Sequence, residues 1–137
     1  GIISPPVSGD MSRRLAFLHE SLLRVLKKWQ PESAAVEETF VNKNAASTLK
    51  LGQARGVVML TPALVGLAVA EYHNRVVKLS VVGTGRAAKQ QIHVMVKHLL
   101  PGANPESEDE ADALAIAICH AHHSSLKIET LGVGAHK

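Results

Sequence analysis

Residues 106–123, with the sequence ESEDEADALAIAICHAHH, place four carboxylates in five positions and then become almost entirely apolar. The apolar part has no clear polar face, which predicts a helix that is buried. Acidic side chains in a first helical turn are stabilised by the helix dipole, by about 0.3–1 kcal/mol each. The dipole accounts for three of the acids, namely Glu106, Glu108 and Glu110. Asp112 enters the apolar stretch, however, and Asp109 precedes it on the same face, so these two like charges need a counter-ion.

The chain has 137 residues, 46% of them apolar and 20% charged, which suits one globular domain with one hydrophobic core. Aromatic residues make up 3% of the chain, which argues against a nucleic-acid surface built from stacked rings. The net charge of +3 favours an anionic partner. The longest uncharged run, 56–70, is too short for a membrane helix, so no membrane contact is expected. The single cysteine, Cys119, cannot form an internal disulfide, which favours a cytoplasmic location.

Hydrophobic periodicity predicts five helices and two strands. We expect helices at 11–29, from 45 into the low sixties, and at 74–82, 86–100 and 108–123, and strands at 33–41 and 67–72. Asp10 and Asn44 are candidate caps of the first two helices. Pro62 should end or kink the second helix, because proline has no N–H for the helical ladder. The tail after Ser124 is expected to be loosely ordered.

The alternation of helices and strands predicts the α/β class, with residues 1–137 as a single domain. Only two full strands are visible, however, and a two-stranded sheet is marginally stable. Five helices also need a larger sheet to cover. We therefore expect the first strands of the sheet to be missing before Gly1.

A second acidic pair, Glu37 and Glu38, interrupts the strand predicted at 33–41. Alternation directs the two side chains to opposite faces, and charge on an edge strand commonly prevents aggregation. A strand carboxylate together with Asp109 and Asp112 is also an oxygen-rich set that suits Mg²⁺ or Mn²⁺. Two such ions about 3.5–4 Å apart can activate water and stabilise a leaving oxygen in phosphodiester cleavage. The residues alone leave both interpretations open.

Two further groups of side chains each allow two interpretations. Four basic residues flank the turn at 81–86, namely Arg75, Lys78, Arg86 and Lys89. They either contact phosphates or form an ordinary solvated surface. His120 and His123 could share a zinc ion, although cationic side chains more often mark the end of a helix. Cys119 is expected to pack in the core.

Three stretches resemble one protein family: VEETFVNKNAASTLKLGQARGVV at 36–58, EYHNRVVKLSVVGTGRAAKQQIHVMVKHLL at 71–100 and ADALAIAICHAHH at 111–123. They are similar to the RuvC-type Holliday junction resolvases, the crossover junction endodeoxyribonucleases. The resemblance covers nearly the whole chain and implies an RNase H-like fold, with a mixed sheet flanked by helices. It also implies a homodimer that makes paired, metal-dependent nicks in four-way DNA junctions during recombination and repair. The branch-migration proteins RuvA and RuvB are implied as partners.

The resemblance also implies roles for individual residues. Three acids match the family's ligands for two Mg²⁺ ions, or Mn²⁺: Glu37, Asp109 and Asp112. Phe40 matches a phenylalanine that wedges at the junction centre. Lys78 and Lys89 match lysines that engage the phosphate backbone near the cut and assist catalysis.

Two departures from the family pattern matter. The family's first catalytic aspartate lies in a D-P-G motif, which this sequence lacks, so the chain by itself could be inactive. The spacing from Asn104-Pro105 to the acids is one residue longer than the family's, which leaves Glu108 as an alternative to Asp109. Two other functions stay open: a junction-binding module that lacks the aspartate and does not cut, and an α/β hydrolase of a small phosphorylated substrate.

Overall fold

The computed structural model describes residues 1–38 and 44–132, and the side chains of these residues as far as Ser124. The chain divides into two compact units, Gly1–Glu71 and Tyr72–Lys137. The elements are α1 Met11–Trp29, β1 Ser33–Glu38, α2 Ala45–Leu64, β2 Ala68–His73, α3 Asn74–Val82, α4 Lys89–Leu99 and α5 Glu108–Gly132. Among the residues described, none of the helices combines the length and the hydropathy that crossing a membrane requires.

In the first unit, α1 packs along α2. Their contact includes a hydroxyl group, because Thr61 is fully buried. Its Oγ1 donates to the carbonyl of Val57, 2.8 Å away, and lies 2.9 Å from Nδ1 of His19 on α1. A buried hydroxyl without partners would cost roughly 1–3 kcal/mol. The pairing of Thr61 with His19 therefore favours one arrangement of the two helices.

The two helices of this unit start where the sequence predicts. The side chain of Asn44 caps α2 by accepting hydrogen bonds from the second and third N–H groups after it. Asp10 is at the cap position of α1, but its side chain makes no capping hydrogen bond. Pro62 does not end α2, which continues to Leu64. Near a helix end, proline removes only one hydrogen bond from the ladder, and the carbonyl of Pro62 accepts one from Val65 at 3.2 Å.

β1 and β2 pair as the two strands of a parallel sheet, and α2 connects them. β1 starts at Ser33 as predicted, and the predicted part from 39 to 41 lies outside the described residues. β2 starts at Ala68, one residue later than predicted. Within residues 1–38 and 44–132, this sheet has two strands. The predicted α/β class is confirmed.

In the second unit, α3, α4 and α5 pack around one hydrophobic core. Its buried members are Val77, Val81, Ala87, Ile92, Val96, Ala115, Ile118 and Cys119. α3 has the predicted bounds, but α4 starts three residues later than predicted, at Lys89. The reason is that Ala88 is extended and donates its N–H to the side chain of Gln91, 2.9 Å away. Arg86 therefore belongs to the turn before α4.

α5 differs from its prediction in two respects. It is exposed along one side, where Ala113 and Ala117 lie, so it is not buried on nearly every face. Alanine is apolar but small, so it is tolerated at exposed positions. The alanines on the exposed side of α5 therefore make an amphipathic helix look uniformly apolar in the sequence. α5 also continues to Gly132. The segment after Ser124, expected to be loosely ordered, is helical up to that point.

Candidate active site

The acidic start of α5 contains a capping box, in which a serine and a glutamate satisfy each other's backbone N–H groups. The Oγ of Ser107 accepts a hydrogen bond from the N–H of Glu110 at 3.2 Å. In return, Oε2 of Glu110 accepts from the N–H groups of Glu106 at 2.7 Å and Ser107 at 3.2 Å. The bond from the Glu106 N–H lowers the pKa of the Glu110 carboxyl. Glu110 thus stabilises the start of the helix.

Asp109 and Asp112 lie three residues apart on the first turns of α5. Asp109 is exposed, and Asp112 is half-buried next to the fully buried Ala111. Among the described residues, neither carboxylate has a hydrogen-bond partner, so both can receive a cation. Hard oxygen ligands of this kind suit Mg²⁺. In the part of the chain that the structure describes, no three histidine, cysteine or acidic side chains are grouped as a metal site.

Lys89, the first residue of α4, lies beside these acids. Its Nζ is 3.2 Å from Oε2 of Glu108, and both side chains are about two-thirds exposed, at 63% and 67%. The hydrogen bond with Glu108 raises the pKa of Lys89, and the charges of Asp112 and Asp109 also raise it. An exposed ion pair contributes little to stability. Its significance is one of position, since the fold brings together three predicted site residues, Lys89, Asp109 and Asp112.

The other basic candidates lie on α3 and in the turn before α4. Arg75 and Arg86 are exposed, and Lys78 is half-buried. The turn is anchored by Ala87, which is buried in the core. Within residues 1–38 and 44–132, none of these three basic side chains forms a salt bridge. Their charges are therefore available to an anion.

Two predicted site residues belong to the first unit. Glu37 lies near the end of β1, and both Glu37 and Glu38 are exposed. Exposed carboxylates at a strand end suit protection against aggregation as well as metal binding. Phe40, the predicted wedge, lies outside the described residues.

A family model described as "Crossover junction endodeoxyribonuclease RuvC" matches residues 1–120. The chain belongs to the RuvC family. This assignment confirms the resemblance that the motifs at 36–58, 71–100 and 111–123 indicate.

RuvC proteins of several bacteria are similar to this chain in sequence or in structure. The crossover junction endodeoxyribonuclease RuvC of Paramagnetospirillum magneticum is 60% identical over 123 residues, covering 90% of this chain and 74% of the relative. That of Rhodopseudomonas palustris is 55% identical over 135 residues, covering 98% of this chain and 78% of the relative. Thermus thermophilus RuvC in complex with Holliday junction substrate matches with a TM-score of 0.86 at 31% identity, covering 93% of this chain and 78% of that one. The RNase H-like fold is therefore confirmed.

The histidines of α5 in this RuvC-family chain have separate partners. Nδ1 of His120 lies 2.9 Å from the hydroxyl of Tyr72, and Nδ1 of His122 lies 3.0 Å from Oγ of Ser80. Nδ1 of His123 donates to a backbone carbonyl one turn earlier, at 2.8 Å. The interpretation that these histidines mark the end of the helix is wrong, because α5 continues to Gly132. Among the described residues, they also belong to no group of three metal-binding side chains. His120 and His122 instead extend the contact of α5 with the segment from Tyr72 to α3.

No sequence motif singles out Tyr72, which contacts two of these histidines. Its ring centroid lies 5.7 Å from that of His120 and 5.2 Å from that of His123. Burial raises the pKa of Tyr72, and the nearby Cys119 raises it further. Cys119 is itself fully buried, as predicted for a core residue, and burial raises the pKa of its thiol.

Proposed function

We propose that this RuvC-family chain resolves Holliday junctions, by paired nicking of four-way junction DNA in recombination and repair, and that residues 1–137 act as one nuclease domain. The observation that carries the proposal is the match, over 93% of the chain, to Thermus thermophilus RuvC in complex with Holliday junction substrate. The acids of α5 beside Lys89 add support. Cleavage of a phosphodiester needs ligands for a metal ion and a cation that balances charge on the phosphate.

The proposed metal ligands are Glu37, Asp109 and Asp112, for two ions of Mg²⁺, or Mn²⁺. Carboxylate oxygens are the protein ligands that these ions prefer. The absence of hydrogen-bond partners for Asp109 and Asp112 among the described residues supports their assignment. When bound, such ions stabilise the charge that develops on the phosphate and the leaving oxygen. The acids hold the ions and set their place relative to the DNA backbone.

The proposed contacts with DNA involve basic residues of the second unit. Lys89 and Lys78 are the catalytic lysines, and Lys89 donates to a phosphate oxygen next to the acids. Arg75 and Arg86 contact neighbouring phosphates, and Phe40 wedges at the junction centre. The family resemblance supports RuvA and RuvB as partners and a cytoplasmic location.

A cleavage assay with the full-length protein tests this function. With Mg²⁺ present, we expect two symmetrically placed nicks in a four-way junction, and no comparable cutting of a linear duplex of the same sequence. Binding of the junction without any nicking would favour the junction-binding module that does not cut. Better competition by a short phosphate ester than by junction DNA would favour a hydrolase of small substrates.

We also propose that two copies of the chain form a homodimer through α2. One side of this helix is exposed, and this α2 outer face consists of Leu49, Gly52, Gly56, Leu60 and Leu64. Its leucines are 64%, 56% and 67% exposed, respectively. Exposed leucines along one helix face gain free energy on burial against another surface, and glycines let two backbones approach closely. A two-fold dimer also presents two sites to a junction with matching symmetry.

Gly52→Trp is expected to weaken this dimer about tenfold or more, because a clash in a packed interface costs about 1–3 kcal/mol. Among the described residues, no atom lies within 4 Å of a Cβ placed at position 52, so the larger side chain should not disturb the fold of the subunit. Sedimentation at graded protein concentrations measures the dissociation constant. Gly102→Trp is the matched control, since position 102 is equally open among the described residues and belongs to the loop between α4 and α5. An unchanged dissociation constant for Gly52→Trp would exclude this face from the dimer.

A further inference from the structure

The side chain of Arg75 lies directly across Gly85. A Cβ at position 85 would be 2.8 Å from Cγ, 3.1 Å from Nε and 3.5 Å from Cδ of Arg75. Non-bonded carbon atoms make good contacts at about 3.5–4 Å, so a contact of this length cannot be kept. The φ angle of Gly85 is not in the left-handed range, in contrast to that of Gly83 at 84°. Space for the arginine, and not backbone conformation, is therefore what position 85 requires.

Both sides of this contact are held in place. The turn that carries Gly85 is fixed by Ala87, which is 2% exposed in the core. Arg75 is the second residue of α3, and its backbone N–H donates to Nδ1 of His73 at 3.1 Å. The aliphatic stem of the arginine therefore rests on a defined surface. The direction of its guanidinium group depends on how closely the stem can approach the turn.

The position of Arg75 is unfavourable unless an anion is present. A cation in the first turn of a helix meets the positive end of the helix dipole, which typically costs about 0.3–1 kcal/mol. Among the described residues, no carboxylate forms a salt bridge with Arg75 to offset this cost. A phosphate group would offset it, because arginine and a helix N-terminus both attract phosphate.

We propose that Gly85 is a positioning residue, which seats Arg75 so that its guanidinium group contacts a phosphate of the DNA backbone. The proposal rests on the proposed junction binding. In it, Gly85 acts only through Arg75. The proposal also predicts that substitutions at 85 and 75 have the same effect.

The test measures junction binding by the full-length protein in EDTA, so that nicking does not interfere. Gly85→Ala and Arg75→Gln should each raise the Kd about three- to tenfold and reduce the slope of log Kd against log salt by about one. The double variant should be no weaker than Arg75→Gln alone. Gly102→Ala, at a position where a Cβ meets nothing within 4 Å in the part of the chain that the structure describes, should bind like the wild type.

Three outcomes would overturn the inference: wild-type binding by Gly85→Ala, wild-type binding by Arg75→Gln, or an added loss in the double variant. The salt slope separates a lost phosphate contact from general damage to the fold, and Arg75→Gln requires no adjustment of the turn. A wild-type protein with no preference for a four-way junction over duplex DNA would instead contradict the proposed function. The two failures are therefore distinguishable.

Discussion

Asp112→Asn should abolish nicking of a four-way junction and leave binding of that junction nearly unchanged. Asp112 is half-buried where the polar start of α5 meets its apolar part, and no described residue is hydrogen-bonded to its carboxylate. The amide keeps the size of the side chain but removes the charge that a divalent cation requires. Metal assistance contributes several kcal/mol to such reactions, so the cleavage rate should fall about a thousandfold. Single-turnover cleavage and junction binding, measured side by side, check both parts.

The acidic segment offers matched controls for this variant. Glu106 contributes its backbone N–H to the capping box, so Glu106→Gln should cut at the wild-type rate. A comparison of Asp109→Asn with Glu108→Gln decides between the two alternatives for the second ligand of α5, because only loss of the true ligand should match Asp112→Asn. Normal cleavage by Asp112→Asn would remove this residue from the metal site.

Lys89→Ala should lower the single-turnover cleavage rate about a hundredfold, within the range seen when one charge-stabilising donor is removed from an active site. Lys89 is a cation that the structure places beside the acids, with its Nζ 3.2 Å from Oε2 of Glu108. Because this ion pair is exposed, its loss should hardly change the free energy of unfolding. The effect should therefore appear in the rate at saturating DNA and not in the melting temperature.

Lys97→Ala is the control for this substitution, since Lys97 lies two turns further along α4 and is also exposed. It should retain nearly the full rate. If Lys89→Ala cleaved within a factor of about two of the wild type, Lys89 would be only a counter-charge for the acidic start of α5.

Local signals predicted most element bounds, and errors arose where a neighbouring contact decided the outcome. α1 and α3 have the predicted bounds because periodicity and stop signals agree at both ends. α4 starts late because the burial of Ala87 and the extended Ala88 hold the chain in a turn, which periodicity does not reveal. Pro62 lies inside α2 because proline removes one hydrogen bond of the helix, and α2 ends two residues later, at Leu64.

The candidate site was predictable to different degrees. Ser107 and Glu110 form a capping box with a known local pattern, so the sequence could have separated Glu110 from the other acids. The contacts of α5 with Tyr72 and Ser80 join residues 48 and 42 positions apart, and no local pattern encodes them. The placement of Lys89 beside Asp109 and Asp112 followed from the family resemblance. The spacing of residues in one sequence does not reveal how two helices that are joined by a loop pack together.

The capping box has a consequence for how DNA can approach α5. The free N–H groups at a helix start commonly receive phosphate oxygens. Here the carboxylate of Glu110 already occupies two backbone N–H groups, those of Glu106 and Ser107. A strand of DNA arriving at this end meets negative charge, and the N–H groups of Glu106, Ser107 and Glu110 are already bonded, so these three offer no contact to a phosphate. Approach must depend on mobile divalent ions and on Lys89, which makes the encounter rate a function of the ionic composition of the medium.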